Sequence, residues 1–272
     1  MSFSGKKSLM KAALACSIAA TTLLATPVVT SAASITVTAT IRDFSSAHAD
    51  FQQGVGTLEP GIVLSALGPD GKPVYNEALK GATGASSTTT NGTANFNQWY
   101  NSTDHVFTTS LVANETAPGS GVFAYSNASY FPINGQGFGN QGNSTNFHFT
   151  TEINTEFTYV GGESFSFSGD DDVWVFINGE LAIDLGGVHG PESDTVSLDS
   201  AAAALGISIG NTYDLSIFHA ERQTSGSNFN FTTSIALVDA PAVSEPGVLA
   251  ILMLGLGGIA VSRRRKADRK TA

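Results

Sequence analysis

The run Gly169-Asp170-Asp171-Asp172-Val173-Trp174-Val175-Phe176-Ile177-Asn178-Gly179 sets three adjacent carboxylates against an apolar segment that closes on an Asn-Gly turn. Oxygen ligands crowded beside a rigid hairpin suit a hard cation such as calcium, which takes carboxylates, backbone carbonyls and amide oxygens. Neighbouring negative charges repel one another, so water, hydrogen bonds or a metal must offset them. The other reading of such a run is a solvated strand end, with each Asp accepting local backbone hydrogen bonds.

An Asn-Gly pair is the signal for a two-residue type I′ hairpin turn, whose central residues both need positive φ. With the turn at Asn178-Gly179, Ile177 is expected opposite Glu180, Trp174 opposite Ile183 and Val173 opposite Asp184. One face then carries Trp174, Phe176, Leu181, Ile183 and Leu185. The other carries Val173, Val175, Ala182 and Asp184, with Asp171 joining by the two-residue period. In that register Asp171 and Asp184 are diagonal neighbours. Asp170, Asp171, Asp184 and the Gly186-Gly187 carbonyls then form a candidate calcium site, while Asp172 points to the core side with Leu185.

Other residues offer less chemistry. His189 and His219 have no third nitrogen or sulfur ligand at zinc spacing and read as core or turn histidines. Glu152, Glu156 and Glu163 would be the carboxylates of a glycosidase, but nothing marks which one stays protonated. Trp99-Tyr100 and Phe131 could stack on the apolar face of a pyranose, although core is the stronger reading of them.

The elements that position these residues are short strands. Ile35, Val37, Ala39 and Ile41 alternate with Thr36, Thr38 and Thr40, a half-buried strand pattern. Similar segments are expected at 146–150, 156–160, 165–167, 211–220 and 229–238. Gly81 to Thr93 is a Gly/Ser/Thr-rich loop, and Ser200 to Leu205 has room for only a helical turn or two. Short strands separated by Gly- and Asn-rich turns indicate an all-β sandwich. One domain is expected over 35–239, with an irregular, loop-rich N-terminal half wrapped on a sheet-rich C-terminal half.

The ends have another character. Lys6, Lys7 and Lys11 precede an Ala-rich apolar run and the small residues Ser31-Ala32-Ala33, so 1–33 reads as a secretory signal peptide. Val248 to Val261 is an apolar run of 14 residues closed by Arg263-Arg264-Arg265-Lys266. That is short for a membrane span, which needs about 20 residues. Between Ser34 and Val243, four basic residues face 21 acids, a net charge of −17. A chain this acidic is repelled by phosphate backbones, which argues against a nucleic-acid partner. Cys16 lies in the leader, so stability must come from the core or from a metal rather than from disulfides.

Two resemblances add to this. The tail at 243–272, with Val243-Ser244-Glu245-Pro246, the apolar run 248–261 and the Arg cluster, resembles a PEP-CTERM sorting signal. That implies export, an exosortase-like processing protease, transient inner-membrane anchoring and association with exopolysaccharide. Ser244 departs from the usual Pro.

The segments Ile41-Arg42-Asp43-Phe44, His48-Ala49-Asp50-Phe51, Phe96-Asn97-Gln98-Trp99-Tyr100, Asn146 to Glu152, Gly161 to Gly190, Phe218 to Arg222 and Ser227-Asn228-Phe229 resemble the fibro-slime domain family. That family is similar to the lectin-like β-sandwich of protective antigen and yeast flocculation adhesins. The resemblance implies a calcium ion held by Asp170 and Asp171 through a cis peptide, with Glu221 or Asn228 contributing from a late loop. It leaves Asp172 structural.

The resulting expectation is an exported, non-enzymatic, calcium-dependent surface or matrix protein that binds a glycan in adhesion or biofilm. The metal set is Asp170, Asp171, Asp184 and Glu221, with Asn228 and Trp99 at the ligand. The rivals are a purely structural calcium-stabilised matrix protein and an envelope glycosidase.

Overall fold

The computed structural model of the protein describes residues 32–54, 56–78 and 89–239. The expected signal peptide, apart from Ala32 and Ala33, and the whole sorting tail with its apolar segment lie outside the described residues. Among the described residues no helix is long and apolar enough to cross a membrane.

The fold is all-β, as the strand periodicity predicts. The first strand, β1 (Ser34–Asp43), is central rather than peripheral: it pairs with both β2 (Val106–Glu115) and β4 (Phe149–Thr158). Beyond β4 come β9 (Thr212–Glu221), β6 (Asp172–Ile177) and β7 (Glu180–Leu185). On the other side, β2 leads to β3 (Phe123–Asn127), β10 (Phe229–Thr233), β5 (Ser164–Gly169) and β8 (Glu192–Ser197). A short β11 (Val238–Asp239) adds to β4, and every pairing is antiparallel.

β2 and β3 pair only through Asn114–Ala124 and Glu115–Phe123. The sheet bends there into two facing layers, and its end strands β7 and β8 approach each other. The single sheet is therefore nearly closed.

Alternation decides what goes between the layers. Val37, Ala39 and Ile41 of β1, Phe149, Ile153 and Phe157 of β4, Phe165 and Phe167 of β5, and Phe229 and Phe231 of β10 share one buried core. Strand β6 is buried on both faces. Val173, Val175 and Ile177 enter the core between the layers, while Trp174 and Phe176 face outward into a second apolar cluster. The irregular N-terminal segment covers that outer face with Phe44, Phe51, Ile62, Tyr75, Phe96 and Trp99, using the short helices α1 (Thr93–Phe96) and α2 (Gln98–Asn101). Burial on both faces explains why β6 reads as a nearly continuous apolar run.

The hairpin departs from the expected register. Asn178 and Gly179 have φ 54° and 79°, as the type I′ turn requires. Ile177 pairs with Glu180 and Phe176 with Leu181, but a bulge then makes Ala182 an extra residue. Val175 consequently meets Ile183, Trp174 meets Asp184 and Val173 meets Leu185. Asp184 thus shares a face with Trp174 and not with Val173, so the expected Asp171–Asp184 neighbourhood does not form. Sequence reading also passed over β2, β3 and the polar edge strand β8. The expected short helix is real: α3 spans Leu198–Leu205 and ends at Gly206 with φ 64°.

Candidate functional site

The acidic run lies where the chain crosses from one layer to the other. Gly169 ends β5 and Asp172 begins β6, so Asp170 and Asp171 form the crossing. Two more connections meet it there: 186–191 between β7 and β8, and 222–228 between β9 and β10. Main-chain bonds tie the three together. Asp170 N–H donates to the Asn228 carbonyl (3.2 Å) and Asp171 N–H to the His189 carbonyl (3.3 Å). A Cβ at Gly169 would lie 2.5 Å from the Asn228 oxygen, so this close approach needs glycine.

Each carboxylate has its own partners. Asn228 Nδ2 donates to Asp170 Oδ2 (2.6 Å), leaving Asp170 Oδ1 buried without a hydrogen-bond partner. The Arg222 main-chain N–H donates to Asp171 Oδ2 (2.5 Å). Glu221 is 1% exposed; its Oε1 accepts from Gln223 N–H (3.3 Å), and its Oε2 is buried outside hydrogen-bond geometry, with the unpartnered Ser227 hydroxyl near enough to lower the carboxyl's proton affinity. Both orphaned oxygens belong to residues of the expected metal set.

Electrostatics agree with that count. Burial pushes the Asp171 carboxyl up to about 7, against the pull of the Arg222 charge. Burial, followed by the charges of Asp171 and Asp170, raises Glu221 well above the carboxylate range. Burial also raises Asp170, offset in part by the Asn228 amide. The Asp171 and Asp170 charges thus add to burial at Glu221, whereas the Arg222 and His189 charges offset part of the burial at Asp171, and His189 part of that at Asp170.

The nearest cation is already engaged. Arg222 is fully buried: its Nε donates to Asp172 Oδ2 (2.5 Å), its guanidinium reaches the Asp50 and Thr89 carbonyls, and it lies 4.7 Å from the Trp99 ring centroid. Asp172 Oδ1 accepts from Gly187 N–H (2.8 Å). Asp172 is therefore a structural residue that ties the loop cluster to the outer layer.

Two expected site residues are placed elsewhere. Asp184 accepts from Gly61 N–H (2.7 Å), Trp174 Nε1 (2.9 Å) and Gly186 N–H (3.2 Å), which anchors the covering segment to β7. The bulge carries it to that face. Trp99 is fully buried, with Nε1 donating to Asp50 Oδ2 (3.1 Å), and Tyr100 is 2% exposed. Neither ring is open to a sugar; of the expected aromatic platform, only Phe131 is half-buried.

The peptide joining Asp170 to Asp171 is trans, contrary to the cis bond that the resemblance implies, and Asp171 instead adopts φ 47°. Asp170, Asp171, Glu221 and Asn228 do meet at one corner. Among the described residues, however, no three carboxylates or histidines already stand as a set that could hold a metal.

Of the histidines, His189 lies in the 186–191 loop with its ring nitrogens 2.6 Å and 3.0 Å from the Gly190 and Leu185 carbonyls. His219 is fully buried among Tyr130, Phe149 and Phe229 with no hydrogen bond, and burial lowers it to about 3. It is a core histidine. Glu152 accepts from Arg42 Nη1 (2.8 Å) and from Lys72 and is neutralised in place. The role of the His189 carbonyl carried no signal in sequence, because any residue can supply a main-chain oxygen.

Residues 132–246 match the family profile described as PA14 domain. The chain carries a PA14 domain. The match begins after β3 and contains the whole acidic corner, whereas β1 and β2 lie before it yet complete the same sheet. Relatives of the PA14-bearing chain include two proteins of Dictyostelium discoideum. Protein psiC is 36% identical over 75% of this chain and 42% of its own length. Protein psiD is 39% identical over 74% of this chain and 42% of its own. The chain thus spans less than half of these curated relatives.

Solved structures that it is similar to include a PA14 sugar-binding domain from an RTX adhesin (10% identity, 35% of this chain and 52% of that one, TM-score 0.26). Another is the PA14 domain of the MpAFP antifreeze protein (9% identity, 46% and 79%, TM-score 0.29). At these scores the likeness carries no argument.

Proposed function

We propose that this chain is an exported surface or matrix protein whose PA14 domain binds a glycan through calcium held at the acidic corner. The observation that carries the metal is the pair of buried, unpartnered oxygens, Asp170 Oδ1 and Glu221 Oε2. Burial raises the proton affinity of both carboxylates, and at Glu221 the charges of Asp171 and Asp170 add to it. Asp170, Asp171 and Glu221 would hold the ion, with the Asn228 amide beside them, an all-oxygen set suited to calcium. Calcium would supply the missing positive charge and a coordination point for sugar hydroxyls. The protein residues crowd the carboxylates, fix their spacing through the Asn228 and His189 carbonyls, and keep Arg222 on Asp172.

The same reading includes the finer placement in the fibro-slime family, the PEP-CTERM-like tail with its exosortase-like protease, and a role in adhesion or biofilm. The family profile matched is PA14, and the fibro-slime placement is supported by the residue blocks quoted above. A purely structural calcium would use the same ligands without a sugar.

Thermal unfolding tests the metal: millimolar calcium raises the melting temperature of the wild type but not that of Asp170→Asn or Glu221→Gln. Equal shifts in all three remove the ion from this corner. A glycan array run with and without chelator then separates glycan binding from a structural role, since the structural rival gives no chelator-sensitive hit.

A further inference from the structure

The hairpin between β2 and β3 is paired only at its closed end. Farther along, β2 stays with β1 and β3 stays with β10, so the two strands diverge. A cleft of about 210 Å³ opens between them. Tyr125, Phe131 and Pro132 line it, all half-buried, together with Thr109, Asn127 and Ser129.

Its polar groups are available. The Thr109 and Ser129 hydroxyls make no side-chain hydrogen bond within the described residues. Asn127 Oδ1 accepts from Ser129 N–H (2.9 Å) and Asn127 Nδ2 reaches the Tyr125 hydroxyl at 3.4 Å, which leaves an amide N–H to spare. No charged side chain lines the cleft, although the surrounding chain is strongly acidic. The cleft lies beside the acidic corner: Tyr130 N–H donates to the Ser227 carbonyl (3.0 Å), and Asn127 pairs with Phe229.

We infer that this cleft is a metal-independent subsite for one neutral pyranose unit. Hydroxyl and amide groups pair with the hydroxyls of a sugar ring, and the half-buried Tyr125 and Phe131 stand beside them. The uncharged lining offers no partner to a phosphate, an acidic sugar or an amine. The volume lies below the roughly 300 Å³ at which pockets for drug-sized ligands begin, which fits a single ring. The ligand class rests on the glycan-binding reading above, but the subsite does not depend on calcium.

The test uses the full chain with methyl β-D-glucopyranoside and methyl β-D-galactopyranoside as probes, in EDTA. Amide shifts of Asn127 and Ser129 and saturation transfer to the sugar are read by NMR. At least one glycoside shifts these amides, and Phe131→Ala and Asn127→Leu each weaken its binding by at least about fivefold. Ser129→Trp, an exposed substitution that fills the cleft, abolishes binding while keeping the wild-type melting temperature, so a folding defect is not mistaken for the effect.

If neither glycoside shifts the cleft amides in EDTA, the subsite does not exist. If binding appears only on adding calcium and is lost in Glu221→Gln, the subsite fails and the calcium reading stands. Binding in EDTA together with no calcium effect on melting keeps the subsite and removes the calcium.

Discussion

Asp171 concentrates the electrostatic conflict of the corner, because burial raises its carboxyl to about 7 from an ordinary 3.8. Between those values the folded protein holds a proton that the unfolded chain has released. The resulting stabilisation is complete below about pH 4 and is lost as pH rises toward 7. Glu221, also raised, acts in the same direction. His219 acts oppositely: lowered from 6.5 to about 3, it stays neutral in the fold, so its contribution is present above pH 6.5 and fades on acidification toward 3. The two oppose each other in the wild type, and a difference measurement separates them. In calcium-free buffer the melting temperature of the wild type falls relative to that of Asp171→Asn as pH rises from 4 to 7. Parallel profiles for the two proteins would mean that Asp171 does not titrate in that window. Sequence reading set Asp172 apart from its two neighbours through the resemblance and through a register that does not form: Val173, not Asp172, meets Leu185, and Asp172 is buried against Arg222. It did not identify Arg222 as the partner, because that pairing joins residues 50 positions apart across β6 and β9.

At the scale of elements, the corner is built from three connections held by main-chain contact rather than by side-chain packing. Gly169 is the tightest point, since an added Cβ would meet the Asn228 oxygen at 2.5 Å and the Phe167 ring at 2.7 Å. Gly169→Ala must push the 222–228 connection away from Asp170. A cost of roughly 1–3 kcal/mol is expected from urea unfolding, as for overpacking elsewhere. The calcium-induced rise in melting temperature should shrink with it, because Asn228 and Glu221 flank that connection. An unchanged calcium response in a destabilised Gly169→Ala protein would separate this glycine from the site. The turn at Asn178-Gly179 was legible in sequence because its backbone demand is local. The bulge at Ala182 was not, since nothing in Glu180-Leu181-Ala182-Ile183-Asp184 distinguishes an extra residue from a regular strand. Asp184's partners, Gly61 and Trp174, come from a distant loop and a neighbouring strand.

Over the whole molecule, the PA14 match covers 132–246, yet the fold is not confined to it. β1 lies between β2 and β4, and Phe44, Phe51, Ile62, Tyr75, Phe96 and Trp99 of the covering segment seal the outer face of β6 and β9 over Trp174, Phe176 and Phe218. A fragment beginning at Pro132 leaves that aromatic face in water and one edge of β4 partly unpaired. It is expected to melt without a cooperative transition and to bind a hydrophobic dye, whereas the full chain unfolds in one step followed by tryptophan fluorescence. A sharp melt from the fragment would show that the covering segment is dispensable.

The residue pattern by itself determined the all-β class, the type I′ turn and the inward residues of β1. Each of these follows from strand periodicity or turn backbone demands. Tertiary structure alone decided that Asp170, Asp171, Glu221 and Asn228 meet while Asp184 does not, that Trp99 is core, and that β2 and β3 diverge to open a cleft. Those outcomes depend on which distant strands pair and where one extra residue bends a ladder. They are set by the packing of the two layers and the segment that covers them, and local sequence preference does not encode them.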